Sequence, residues 1–227
     1  MSEPDTRGDY ADLGATTPEG QSIADTSLER VRRLVPDETL QDRLRQKAVH
    51  ATGDPEFQYL MRFTDDPVES GARAVQDERP IVTDVTMPRQ GITDRGHGCE
   101  KWTAVAHGED LAEEQGITRT AAGVLELDER GVYDDAIAVV GNAPTAAFAI
   151  ADRIENGTRP AVVVATPVGF VKAAESRERL RDVGSAHGVP TVTNVGRRGG
   201  SGLVAALTNE LIHVATDIEE GEVTLDE

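Results

Sequence analysis

The sequence predicts an α/β protein: a single three-layer domain with a mainly parallel, five-stranded sheet, helices on both faces and a Rossmann-like alternation. Three observations predict it. Five short runs rich in Val, Ile, Ala and Thr recur along the chain, the later ones are each followed by a stretch of helical pattern, and the runs are almost continuously apolar. A strand that is apolar on both sides must be covered on both faces, which calls for helices above and below the sheet.

The elements are expected in this order. Residues 1–20 are acidic, rich in Gly, Pro and Thr and without periodicity, and read as a disordered tail. Helices follow at Ile23–Leu34 and Glu38–Val49. They are parted by Val35-Pro36-Asp37, where Pro36 ends one helix and Asp37 can cap the next. Strands are expected at Ile81–Thr86, Trp102–Ala106, Ala136–Val140, Ala161–Thr166 and Thr191–Val195. The covering helices are Glu109–Gln115 with Arg119–Glu129, Thr145–Glu155, Val171–Val183 and Gly202–Val214. The domain then spans 21–215, and residues 216–227 read as a second acidic tail. In such a sheet, ligands bind beyond the carboxyl ends of the strands.

Bulk composition excludes several functions. The 227 residues suffice for one sizeable core, and 38% hydrophobic with 4% aromatic content means that Ala, Val and Gly supply the packing. Net charge is −18, with 41 acidic against 23 basic residues, and only Lys47, Lys101 and Lys172 are lysines. This acidic, lysine-poor balance points to concentrated salt, as in an archaeal halophile, and disfavours nucleic acid and anionic membranes as partners. No run approaches the ~20 apolar residues of a membrane span, and the N-terminus lacks a signal-peptide pattern. Cys99 stands alone, so no intrachain disulfide forms, and a reducing, cytoplasmic location is expected.

Three strand-to-helix corners carry the candidate chemistry. In Ala138-Val-Val-Gly-Asn-Ala-Pro-Thr145, Asn142 suits a helix cap and Pro144 the first turn, leaving amides that can receive a carboxylate. Val164–Phe170 is a second corner shaped by Pro and Gly. In Asn194–Gly202, four glycines allow close backbone approach, while Arg197 and Arg198 offer planar donors for carboxylate or phosphate. Arg119, in the first turn of a helix capped by Thr118, opposes the helix dipole and is best explained by an anion facing it. Neither G-x-G-x-x-G nor G-x-x-x-x-G-K-[ST] occurs, so a nucleotide cofactor has weak support. His97, Cys99 and His107 match no zinc spacing, and no metal site is expected. His50 closes an amphipathic helix before Thr-Gly-Asp-Pro, a candidate general acid or base, although a capping histidine is the commoner explanation of such a position.

Six blocks then resemble one family in order: Ala48-Val-His-Ala-Thr-Gly-Asp-Pro55; Pro80-Ile-Val-Thr-Asp-Val-Thr-Met87 with Gly91-Ile92; Thr118-Arg-Thr-Ala-Ala-Gly123; Val140-Gly-Asn-Ala-Pro-Thr-Ala146; Pro167-Val-Gly-Phe-Val-Lys-Ala-Ala-Glu-Ser176; and Gly196-Arg-Arg-Gly-Gly-Ser201. Together they resemble precorrin-8X (cobalt-precorrin-8) methylmutases. The resemblance implies an isomerase of corrin biosynthesis that shifts a ring methyl from C-11 to C-12. His50 is implied as proton donor and acceptor, and Ser27, Lys47, Thr86, Arg119, Asn142, Arg197 and Arg198 as substrate-binding residues. Lys47 stands where relatives carry arginine, keeping the charge without the bidentate fork. No cofactor is implied, since any cobalt comes with the substrate; the partners implied are the corrinoid and a second copy in a homodimer. A non-catalytic corrinoid carrier remains the rival expectation.

Overall fold

The computed structural model describes residues 17–223. The expected acidic tails lie outside the described residues over 1–16 and 224–227. The first helix, α1, spans Pro18–Arg32, with Thr17 extended and its hydroxyl accepting from Gly20 N, and with proline opening the first turn. It therefore begins inside the stretch expected to be tail.

The second helix, α2, spans Leu40–Thr52. Its cap is Thr39, not the expected Asp37. Thr39 Oγ1 accepts from Asp42 N while Asp42 Oδ2 accepts from Thr39 N, a reciprocal pair that satisfies two amides at once. Gly53 ends the helix at φ 66°, in the left-handed region that favours glycine. His50 thus belongs to the last turn of α2.

After a short turn, α3 (Phe57–Leu60), the chain enters β1 (Met61–Thr64) and α4 (Pro67–Gln76). These were not expected, and the sheet accordingly has six strands instead of five. The remaining order is β2 (Ile81–Thr83), α5 (Thr86–Gly91), β3 (Lys101–Thr103) with a 3₁₀ turn at Ala104–Ala106, α6 (Glu109–Gln115), α7 (Arg119–Glu129), β4 (Ile137–Val140), α8 (Pro144–Glu155), β5 (Val162–Ala165), α9 (Ala173–His187), β6 (Thr191–Asn194) and α10 (Ser201–Glu219). Residues 216–219, expected as tail, complete α10.

The strand order is β1-β6-β5-β4-β2-β3. All neighbours run parallel except β1, which pairs antiparallel with β6 from Met61↔Asn194 to Thr64↔Thr191. Successive side chains of a strand point to opposite faces, and β4 divides accordingly. Ile137 and Val139 join one buried cluster with Leu44, Val75 and Leu211, from α2, α4 and α10. Ala138 and Val140 join the other with Leu127, Ile150 and Leu180, from α7, α8 and α9. Each large aliphatic side chain buried there contributes about 1.5–3 kcal/mol. Two cores around one sheet explain why the strand sequences are apolar without alternation, and they leave chemistry to the exposed strand ends.

Candidate functional site

The exits of β2, β4, β5 and β6 form one edge of the sheet. At the β2 exit, Asp84 is buried and accepts three amides of the corner after β4: Gly141 N at 3.1 Å, Asn142 N at 2.8 Å and Ala143 N at 2.7 Å. Desolvation raises its carboxyl pKa, outweighing the lowering by these donors. The expectation that this corner offers amides to a ligand carboxylate is therefore corrected: the chain's own carboxylate occupies them. Ala143, not Asn142, is the cap of α8, with Pro144 in the first turn. The Asn142 side chain stands exposed at the rim. Thr86, the first residue of α5, is likewise exposed just past Asp84.

Arg119 opens α7 and lies largely in solvent. Its Nη2 donates to Val105 O at 3.2 Å, and its Nη1 is 3.9 Å from Glu109 Oε1. The Thr118 hydroxyl caps α7, as expected, and donates to Thr145 Oγ1 at 2.8 Å, so the starts of α7 and α8 meet beside it.

The loops leaving β5 and β6 pack on one another. Gly200 N donates to Thr166 O at 2.7 Å and Gly169 N to Arg197 O at 3.1 Å. Gly199 has φ 153°, and a Cβ there would lie 2.2 Å from Thr166 O, so only glycine fits this approach. Val168, Phe170 and Val171 are exposed, and the Arg197 guanidinium lies 5.1 Å over the Phe170 ring. Arg198 behaves differently. Its guanidinium pairs with Asp54 and, at 2.7 Å, with Glu56 Oε2, clamping the glycine-rich loop to the segment that follows His50.

His50 is half-buried at the end of α2, and its Nδ1 lies 3.0 Å from Ser27 Oγ on α1. That contact joins the expected proton donor to one of the expected substrate-binding residues, and it fixes the orientation of the imidazole through one ring nitrogen. If Nδ1 accepts from the serine, Nε2 carries the hydrogen; the opposite tautomer leaves Nε2 as the base.

Lys47, one turn before His50, is turned inward. It is buried, with Nζ 3.5 Å from Glu210 Oε2, beside Arg43 Nε at 2.9 Å from Glu210 Oε1 and His213 Nδ1 at 3.4 Å from Oε2. Desolvation would raise the Glu210 carboxyl, but the hydrogen bond from His213 and the charges of Lys47 and Arg43 outweigh it and hold it down to about 2. A cavity of about 350 Å³ opens over this cluster between α1, α2 and the end of α10. Neither Ser27 nor His50 lines it. Its walls carry Asp37, Glu210, Asp217, Glu220 and Glu222 against three strong cations, an unsuitable lining for a polyanionic ligand. This cavity is therefore separate from the candidate residues at His50 and the strand exits.

Elsewhere, His97 bonds through both ring nitrogens, to Thr93 O at 2.8 Å and Cys99 N at 3.1 Å. The Cys99 thiol is pushed up to about 11 by burial. Three residues of the site region were missed from sequence: Asp84, Glu210 and Arg177. Arg177 is a fully buried guanidinium under the glycine-rich loop. Glu210 did leave a signal, as a lone charge inside the apolar run of α10.

Comparison with known proteins identifies the family. The family model described as precorrin-8X methylmutase matches residues 22–214. The cobalt-precorrin-8 methylmutase of Methanocaldococcus jannaschii is 35% identical over 216 residues, covering 89% of this chain and 98% of that protein. The precorrin-8X methylmutase of Pseudomonas aeruginosa is 34% identical, covering 75% and 82%. A crystal structure of precorrin-8X methylmutase from Thermus thermophilus superposes with a TM-score of 0.80 at 34% identity, covering 91% of this chain and all of that one. The sheet, the helical layers and the span of the match agree, and the chain belongs to the precorrin-8X methylmutase family of isomerases.

Proposed function

We propose that this methylmutase shifts a ring methyl from C-11 to C-12 of precorrin-8 or cobalt-precorrin-8, with His50 as the proton donor and acceptor. The observation that carries the proposal is the 3.0 Å contact between Ser27 Oγ and His50 Nδ1, two residues 23 apart in the chain. Protonation of a ring nitrogen by the imidazole makes the conjugated system electron-poor. The C-11–methyl bond then breaks as the C-12–methyl bond forms, and a proton returns to the imidazole, so substrate and product have equal mass. An unperturbed imidazole titrates near ~6.5 and can both give and recover that proton near neutrality. Holding the macrocycle in one orientation supplies the remaining acceleration.

The reaction in this form draws on no cofactor, and any cobalt arrives with the substrate. Thr86, Arg119, Asn142 and Arg197 along the sheet edge suit the peripheral carboxylates. Lys47 and Arg198, already paired with the chain's own acids, contribute through the pocket's field instead of direct clamping. The same proposal includes a homodimer, supported by the exposed Val168, Phe170 and Val171, and a cytoplasmic location. Among the described residues no helix is long and apolar enough to cross a membrane.

The test is incubation with precorrin-8 or cobalt-precorrin-8 followed by absorption spectroscopy and mass measurement. Wild type should convert the pigment without change of mass. His50→Ala should bind it but leave it unconverted; turnover by His50→Ala at the wild-type rate would refute the assignment.

A further inference from the structure

Arg177 on α9 is wholly buried, and its donors go to neutral oxygens. Nε donates to Ala173 O at 3.0 Å, Nη1 to Asn194 Oδ1 at 2.5 Å and Arg198 O at 2.9 Å, and Nη2 to Gly196 O. No ion pair joins it to a carboxylate among the described residues. Burial, with Arg181 nearby, lowers its pKa to about 10, which still leaves it charged at neutral pH. A buried cation of this kind is compensated by the carbonyl dipoles drawn around it.

Those carbonyls determine what the loop shows on its other side. None of the described peptide bonds is cis. In a planar trans peptide the C=O and N–H of one unit point in opposite directions. With the Gly196 carbonyl aimed at Arg177, the Arg197 amide faces away from it; with the Arg198 carbonyl aimed inward, the Gly199 amide also faces away. Asn194 Nδ2 reinforces the second unit by donating to Arg198 O at 2.7 Å. The loop is held against the His50 segment by the pairing of Arg198 with Asp54 and Glu56, and by Val195 N donating to Leu60 O at 2.9 Å.

We propose that Arg177 is a positioning residue of the methylmutase site. By drawing two carbonyls inward it turns the Arg197 and Gly199 amides toward the ligand side, where with the Arg197 side chain they receive a peripheral carboxylate of the macrocycle. The inference rests on the methylmutase reading for the identity of that anion. The corner after β4 has the opposite polarity: a buried carboxylate, Asp84, draws its amides inward.

The experiment uses the full chain and two titrations followed by absorption, one with the rearranged corrinoid product and one with the same product after conversion of its carboxylates to amides. Arg177→Met should weaken binding of the carboxylate form and raise KM roughly tenfold, with kcat within about twofold, because the lost contact serves ground and transition states alike. Arg177→Lys, which keeps the charge, should recover most of the loss. The amide form should bind wild type and Arg177→Met equally. Unchanged binding of the carboxylate form by Arg177→Met, or an equal loss with the amide form, overturns the proposal. If Arg177→Met does not fold, Gly199→Ala displaces the same peptide from its other side, against Thr166 O. The same charge-selective loss is expected there, and its absence is equally fatal. A wild type that binds no corrinoid overturns the methylmutase reading together with this one. A wild type that binds and converts, with Arg177→Met indifferent, overturns this inference alone.

Discussion

Ser27→Ala separates two roles for the serine, and the expected magnitude follows from one contact. The family resemblance makes Ser27 a substrate contact, whereas the geometry places its Oγ 3.0 Å from His50 Nδ1. If that bond orients the imidazole, its loss frees the ring and its tautomer without removing a ligand contact. A single net hydrogen bond contributes about 1 kcal/mol, within a range of roughly 0.5–1.5. At about 1.4 kcal/mol per tenfold in rate, the expected fall in kcat is roughly two- to tenfold, with KM near the wild-type value. Ser27→Thr keeps the hydroxyl and should retain most of the rate. Stopped-flow absorption with saturating pigment reads kcat directly, and initial rates over a concentration series give KM. A raised KM with unchanged kcat would refute the orienting role and return Ser27 to the substrate.

Two further perturbations test the scaffold. Glu210 has a folded pKa of about 2 against an ordinary 4.5, so its stabilisation is complete above pH 4.5 and is lost as pH falls from 4.5 toward 2. The shift corresponds to about 3 kcal/mol at most. Glu210→Gln should lower the urea midpoint at pH 7 and flatten the acid loss between pH 4.5 and 2.5; an unchanged pH dependence would refute the coupling to Arg43 and Lys47. Gly123→Ala should be severe, since a Cβ there would lie 1.8 Å from Ala104 O in the backbone of the 3₁₀ turn. Overpacking of this kind costs about 1–3 kcal/mol, which for this length lowers Tm by roughly 3–10 °C. A melting curve superimposable on wild type would show that the turn yields freely.

The parts of the fold that read well from sequence were those whose signal is local. The central parallel strands β2, β4 and β5 are largely apolar and buried on both faces, so each announces itself without knowledge of its neighbours. β1 does not, because Met-Arg-Phe-Thr is an edge strand with only Met61 buried, and its pairing with β6 is a long-range fact. Thr39 and Asp37 are both capable of capping; Asp42, three residues after Thr39, decides between them by returning the bond. Asn142 failed as a ligand-facing cap for a reason no local rule contains: its amide is taken by Asp84, 58 positions earlier. Lys47 likewise reads as a ligand cation until Glu210, far along the chain, is brought beneath it. His50 with Ser27 was legible only through family resemblance, since 23 residues and a helix break separate them.

The buried charges also bear on how so acidic a chain can hold a polycarboxylate. A net charge of −18 acts at a distance, and at molar salt the Debye length of about 3 Å confines it to near contact. What the ligand meets is then set by groups within a few ångströms. The corners after β4 and β6 both lead from a strand into a helix, yet opposite internal charges orient their peptides oppositely. Asp84 gathers amides inward and removes the backbone of the β4 corner as an anion receiver, whereas on the proposal above Arg177 gathers carbonyls and turns the backbone of the β6 corner into one. Surface acidity and local anion affinity are therefore separable. Raising salt from about 1 M to 3 M, where the distant field is already screened, should change corrinoid affinity far less than Arg177→Met does; a steeper dependence on salt than on Arg177 would mean that the distant field governs binding.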